Sequence, residues 1–183
     1  MSGSLNDKFL LASALAGDEE AFGKIYDKYV EEIFRFVLMR TSNKEEAQDL
    51  TSEAFLKTWE YVSSSSKRID NIRALLYRVS RNLVIDYYRK SGRQVQALDE
   101  DQFAKIIDQS VDLEESVAKR DDIKQAFSLL DNLSEEYREL LLMRYTQDLS
   151  TSEIAKALGK KEGTVRVGLH RAIKQLKEIL KNV

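Results

Sequence analysis

The chain has no cysteine, no proline and a single histidine among its 183 residues. Without cysteine there is neither a disulfide framework nor a thiolate metal site, and His170 alone leaves carboxylates as the remaining metal ligands. An enzyme needs a convergent nucleophile, base or metal set. No histidine partner, glycine-rich phosphate loop or metal-spaced carboxylate motif occurs, so the chain is read as no enzyme, with no catalytic residue, no metal and no cofactor. The missing prolines suit a chain that is mostly helix, since strands and loops normally use some of that punctuation. No apolar run approaches the roughly 18 residues of a membrane span, and no charged-then-apolar leader is seen, which predicts a cytoplasmic protein.

What is present is helical periodicity, most informative between Leu149 and Leu180, LSTSEIAKALGKKEGTVRVGLHRAIKQLKEIL. Ser150 followed by Glu153 is a capping box that opens a short helix with Ile154, Ala155 and Leu158 on one face, and Gly159 ends it. Thr164 is placed to cap a second helix whose apolar residues Val165, Leu169, Ile173, Leu176 and Leu180 step by three or four. Its other face carries Arg166, His170, Arg171, Lys174 and Lys177. This is a helix-turn-helix pattern, and a helix so charged fits a major groove, where Arg reads guanine edges and Lys holds phosphates. The competing reading is a solvated amphipathic helix.

Net charge is only −2, but its distribution is uneven. From Lys67 to Arg93 eight basic residues face two acids, and from Lys160 to Lys181 seven face two. Between these islands, Asp99 to Asp122 holds nine acids against three bases. Two separate contacts with a polyanion, joined by a segment the polyanion repels, follow from that map.

The pattern predicts an all-α protein of two small domains joined by an acidic linker, with boundaries at 1–93, 94–112 and 113–183. In the first, a helix spans Lys8 to Leu15. A second, opened by Asp18, runs through Phe22, Ile25, Tyr26, Tyr29, Ile33, Phe36 and Val37; a third is opened by Asn43 with Glu46 as a capping box. Four serines, Ser63 to Ser66, break the pattern. From Asn71 a further helix runs to about Lys90 on a core stripe of Ile72, Leu76, Val79, Leu83 and Tyr87. Arg78, Arg81, Asn82, Ile85 and Arg89 share its polar face, with Leu75 one turn before. Gly92 ends the domain. The linker holds one weak amphipathic turn at Phe103, Ile106 and Ile107. The second domain begins near Leu113 and continues through Ile123, Phe127 and Leu130, and Ser134 caps a helix from Glu135 to Tyr145 ahead of the helix-turn-helix.

Three segments in this order, EEAQDLTSEAFLKTWEYV, IRALLYRVSRNLVIDYYRKSGR and LLDNLSEEYRELLLMRYTQDLSTSEIAKALGKKEGTVRVGLHRA, resemble the extracytoplasmic-function sigma factors from about Asp18 to Lys177. The resemblance implies a dissociable subunit that binds bacterial RNA polymerase core and directs it to promoters. It places the clamp helices of the polymerase against Asp49, Ser52 and Glu53, which spacing alone reads rather as an ordinary solvated face; Ser52 stands where the family often has Gln. A flap contact and an anti-sigma partner are further implications. For the minus-10 element it implies a flipped base held by the Ser63 to Asn71 loop with Tyr77 and Asn82, and strand phosphates held by Arg78 and Arg81. Tyr77 is the weaker of the two, since a tyrosine in an apolar helix is more often core than pocket, and Leu75 replaces a frequent Trp. For the minus-35 element it implies Arg166, Val167, His170, Arg171 and Lys174, with Val167 in place of a frequent Ser and Gly168 of a frequent Arg; His170 reads equally as a surface residue. Two rivals remain at this point. A stand-alone helix-turn-helix regulator would bring a receiver or ligand domain in place of the helical, basic first half. A purely protein-binding adaptor leaves both basic islands unexplained.

Overall fold

In a computed structural model of the chain, residues 2–41, 43–64, 69–91, 130 and 132–181 are described, and every regular element among them is an α-helix. The chain divides into two units, residues 1–95 and 96–183. The acidic linker, the turn at Phe103, Ile106 and Ile107, and the expected start of the second domain at Leu113 lie outside the described residues.

The first unit is built from α1 (Ser2–Leu15), α2 (Glu19–Thr41), α3 (Lys44–Ser64) and α4 (Ile72–Ser91), and every pair of these helices is in contact. Each later start is capped, at Asp18 and Asn43 as the sequence predicts and at Asn71, where it predicts only the start of the helix. Asp18 Oδ1 accepts the Ala21 amide at 3.1 Å, Asn43 Oδ1 accepts those of Glu45 and Glu46 at 2.9 and 3.2 Å, and Asn71 Oδ1 accepts that of Ala74 at 2.8 Å. Such caps satisfy amides that have no partner inside the helix. Ile25, Ile33, Phe36 and Val37 of α2, Ala54 and Phe55 of α3 and Leu76 of α4 are all buried in the core. Burying each large apolar side chain stabilises the fold by about 1.5–3 kcal/mol.

Two boundaries differ from expectation. Helix α1 begins at Ser2 rather than Lys8. Its apolar stripe, Leu10, Leu11 and Ala14, lies in its second half, while the Asp7 carboxylate accepts the Tyr29 hydroxyl at 2.6 Å and pairs with the Lys28 ammonium. Anchoring by polar groups leaves no hydrophobic period to read. Helix α3 continues through Ser63 and Ser64, whose hydroxyls donate back to the carbonyls of Trp59 and Glu60. Those bonds satisfy the serines without breaking the helix.

The described part of the second unit holds α5 (Glu135–Tyr145), α6 (Thr151–Leu158) and α7 (Glu162–Lys181), again all in mutual contact. Ser134 Oγ accepts the Tyr137 amide, and the Ser150–Glu153 capping box is complete in both directions. Gly159 closes α6 at φ 64°, the left-handed conformation that costs glycine least. The turn from α5 to α6 is held by the Leu149 amide on the Met143 carbonyl and by Arg144 Nη1 on the Leu149 carbonyl at 2.9 Å. Within it Asp148 takes φ 45°, which short polar residues tolerate better than branched ones. Helix α7 starts two residues before Thr164, so Thr164 is inside the first turn, its amide on the Lys161 carbonyl at 3.0 Å. Of the expected stripe, Val165 and Leu169 are buried and Leu180 is exposed; Ala172, fully buried, completes the contact. No described helix is long and apolar enough to cross a membrane.

Candidate nucleic-acid interface

Three exposed ridges carry the residues singled out from the sequence, except Tyr77, which is buried. On α3, Ala47, Leu50, Ala54, Phe55 and Thr58 point inward, which leaves Asp49, Ser52 and Glu53 together in solvent. The Ser52 hydroxyl donates to the Gln48 carbonyl at 3.0 Å, and Glu53 pairs with Lys57 at 3.0 Å. Leu56 lies one turn beyond on the same ridge and is 58% exposed. Leu56 was not among the residues singled out from the sequence, although an apolar residue out of phase with the buried stripe of α3 is a signal that could have marked it.

Helix α4 changes character along its length. Ala74, Leu75, Leu76 and Tyr77 are four consecutive buried residues, so the turn they form is covered on nearly every side. Leu75 is therefore packed inside rather than at the edge of a DNA face. Tyr77 is fully buried: its ring meets Phe36 edge-on with centroids 4.7 Å apart, and its hydroxyl donates to Glu32 Oε1 at 2.8 Å. Burial first, then the Glu32 carboxylate, pushes the Tyr77 phenol well above the ordinary tyrosine range. A ring so placed cannot support a base from outside. Arg78 and Asn82 are exposed and Arg81 is half-buried, on a ridge continued by Ile85 and Arg89. Val84 and Tyr88 replace part of the expected core stripe, with Val79 and Tyr87 only half-buried.

On α7, Val167, Arg171 and Lys174 form the centre of the exposed face with His170 beside them, all four in solvent. Arg166 sits about 100° round the helix from Val167 and pairs with Glu162 at 3.0 Å. Arg171 is better placed than Arg166 to enter a groove with Val167. An open cleft of about 390 Å³ between α5 and α7 is lined by Glu136, Tyr137, Gly163, Thr164, Val167, Gly168 and Arg171. At its rim, the hydrogen bond and charge of Lys160 hold the Glu136 carboxyl below its usual range. Gly168 belongs to helix packing: a Cβ there would stand 2.6 Å from Leu140 Cδ1. Its half-exposed position faces α5, and a large side chain needs Leu140 to move.

A four-helix unit with an acidic ridge on one helix and a basic ridge on the next, together with a unit bearing a basic helix-turn-helix, defines a two-domain DNA-binding transcription protein. Residues 25–94 match the sigma-70 region 2 family and residues 124–176 match sigma-70, region 4, together more than half of the chain. The chain belongs to the extracytoplasmic-function RNA polymerase sigma factors. It is 29% identical over 172 residues to the ECF RNA polymerase sigma factor BldN of Streptomyces coelicolor, covering 93% of this chain and 64% of BldN. It is 28% identical over 157 residues to the ECF sigma factor SigM of Bacillus subtilis, covering 85% and 93%. The solved structure of CnrH in complex with the cytosolic domain of CnrY shares the fold, with a TM-score of 0.64 at 20% identity over 97% of this chain and 98% of that one. As a sigma factor the protein directs RNA polymerase to promoters and is not an enzyme. The region 2 match over the first unit removes the stand-alone regulator, which needs a different first domain.

Proposed function

We propose that the ridges divide promoter recognition between them. The α3 ridge of Asp49, Ser52 and Glu53 docks on the clamp helices of the polymerase core. The α4 ridge of Arg78, Arg81 and Asn82 holds the separated strand of the minus-10 element, with the Asn82 amide on a base edge and the arginines on phosphates. The α7 ridge of Val167, His170, Arg171 and Lys174 enters the major groove at the minus-35 element, with Arg166 reaching a phosphate from the side. Residues 1–93 and 113–183 are the two modules in this reading, and 94–112 is the acidic spacer. The second module also meets the flap. The protein works in the cytoplasm, where core polymerase and promoters are, and the sigma factor RpoE of Bartonella quintana, which shares the fold and was solved in complex with the anti-sigma factor NepR, motivates including an anti-sigma partner for this chain.

The observation that carries the proposal is the coexistence of two exposed basic ridges, on α4 and on α7, in units that fold around separate cores. A single-site regulator needs only one. Run-off transcription with purified core polymerase on a random promoter library tests it. The expected outcome is a bipartite motif, with Asn82→Ala altering the downstream element alone and Arg171→Ala altering the upstream element alone. Both substitutions changing one element would overturn the division.

A further inference from the structure

One side chain of the α4 ridge has no electrostatic use. Ile85 is 41% exposed, yet Arg78 and Asn82 lie seven and three residues before it and Arg89 four after it. At 3.6 residues per turn this puts Ile85 at the centre of the polar face. The unit's core does not require it, because Leu83, Val84 and Tyr88 beside it supply the buried contacts. A part-exposed branched aliphatic side chain between two arginines and an amide, with Arg89 paired to the neighbouring Asp86 at 2.9 Å, has the composition of a contact that is apolar in the middle and flanked by phosphates that would draw Arg89 from that carboxylate. Arg78 and Arg89 stand about 16 Å apart along the helix, several phosphate spacings of one strand.

We propose that Ile85 reads a thymine of the separated strand by packing on its C5-methyl group, with Asn82 on a neighbouring base edge and Arg78 and Arg89 on the flanking phosphates. Thymine is the base whose edge offers a methyl group; the other three present donors and acceptors that an aliphatic side chain leaves unpaired. The inference rests on the reading that α4 faces the separated strand.

The test uses holoenzyme reconstituted from core polymerase and the full chain. Each thymine of the downstream element of a selected promoter is replaced in turn by deoxyuridine on the non-template strand, in duplex and in pre-melted templates. Wild-type holoenzyme is expected to lose about fourfold in open-complex formation at one position, the value of one methyl group. Ile85→Ser is expected to lose about the same on the thymine template and nothing further on deoxyuridine, while Ile85→Val retains most of the discrimination. An undiminished deoxyuridine penalty in Ile85→Ser overturns the contact. A penalty in duplex that vanishes on the pre-melted template overturns its assignment to the single strand. If Asn82→Ala is defective while Ile85→Ser is silent at every position, this inference alone falls; if Arg78→Ala and Asn82→Ala also open promoters normally, the reading of α4 falls with it.

Discussion

Tyr77 and Arg73 converge on one oxygen: the Tyr77 hydroxyl donates to Glu32 Oε1 at 2.8 Å, and Arg73 Nε reaches the same atom at 2.7 Å. A carboxylate of α2, shared by two donors of α4 41 and 45 residues away, ties the helix that carries the basic ridge to the core. The packing sets where α4 lies, and the polar junction sets its rotation. Arg78, Asn82 and Ile85 face outward because Tyr77 and Leu76 are held inward.

Tyr77→Phe keeps the ring and deletes the hydroxyl. The expected cost is about 1 kcal/mol of folding stability with an unchanged preference at the downstream element, and Tyr77→Ala is expected to cost about 3–5 kcal/mol. Urea denaturation with promoter selection checks both. Full stability with altered base preference in Tyr77→Phe would return this ring to the base pocket.

The same burial makes a pH prediction. Desolvation, aided by Asp7 for Tyr29 and by Glu32 for Tyr77, raises both phenols above their ordinary range, whereas in the unfolded chain each ionises near pH 10. With the folded pKa the higher, stability is fully present below about pH 10 and is lost as pH rises beyond it. Denaturation midpoints at rising alkaline pH are expected to fall more steeply for the wild type than for the Tyr29→Phe, Tyr77→Phe double variant.

Gly168→Ala sets helix propensity against packing. The propensity gain is about 1 kcal/mol, while inserting a methyl group 2.6 Å from Cδ1 of the buried Leu140 costs about 1–3 kcal/mol. Packing is expected to prevail, giving a net destabilisation and a changed upstream-element preference as α7 shifts on α5. A stabilised variant with native selectivity would show that Leu140 swings aside freely.

On α3, Asp49→Arg with Glu53→Arg alters exposed positions and is expected to change stability by no more than about 0.5 kcal/mol per site. Core-polymerase affinity is expected to drop sharply in the same protein, and Leu56→Ser to weaken it further. Equilibrium binding to labelled core decides the matter: a folded variant of unchanged affinity would leave this ridge as solvated surface.

Ser150→Ala removes one half of the capping box, since Ser150 Oγ accepts the Glu153 amide at 3.2 Å and Glu153 Oε2 accepts the Ser150 amide at 2.9 Å. About 1 kcal/mol of stability is expected to be lost. Hydrogen exchange concentrated in Thr151 to Leu158 is the signature to seek.

The sequence by itself determined the helices that are capped by local chemistry. Asp18, Asn43, Asn71, Ser134, Ser150 and Gly159 act within three or four residues of themselves, so their effect is written in adjacent letters. It also determined the exposed ridges, because a 3.6-residue period that sends Leu50 and Ala54 inward sends Asp49 and Glu53 outward. Tertiary structure decided what depends on residues far apart in the chain. The first turns of α1 rest on Asp7 meeting Tyr29 22 residues later, and no local period reports that bond. Tyr77 leaned towards the core in sequence, since a tyrosine in an apolar helix is more often core than pocket, and Phe36 and Glu32, on another helix, hold it there. Gly168 stood in the sequence only as a replacement for a frequent Arg, and its closeness to Leu140 on α5 is visible only in the fold. A side chain's neighbours on its own helix follow from spacing, whereas its neighbours on other helices follow only from how the cores close.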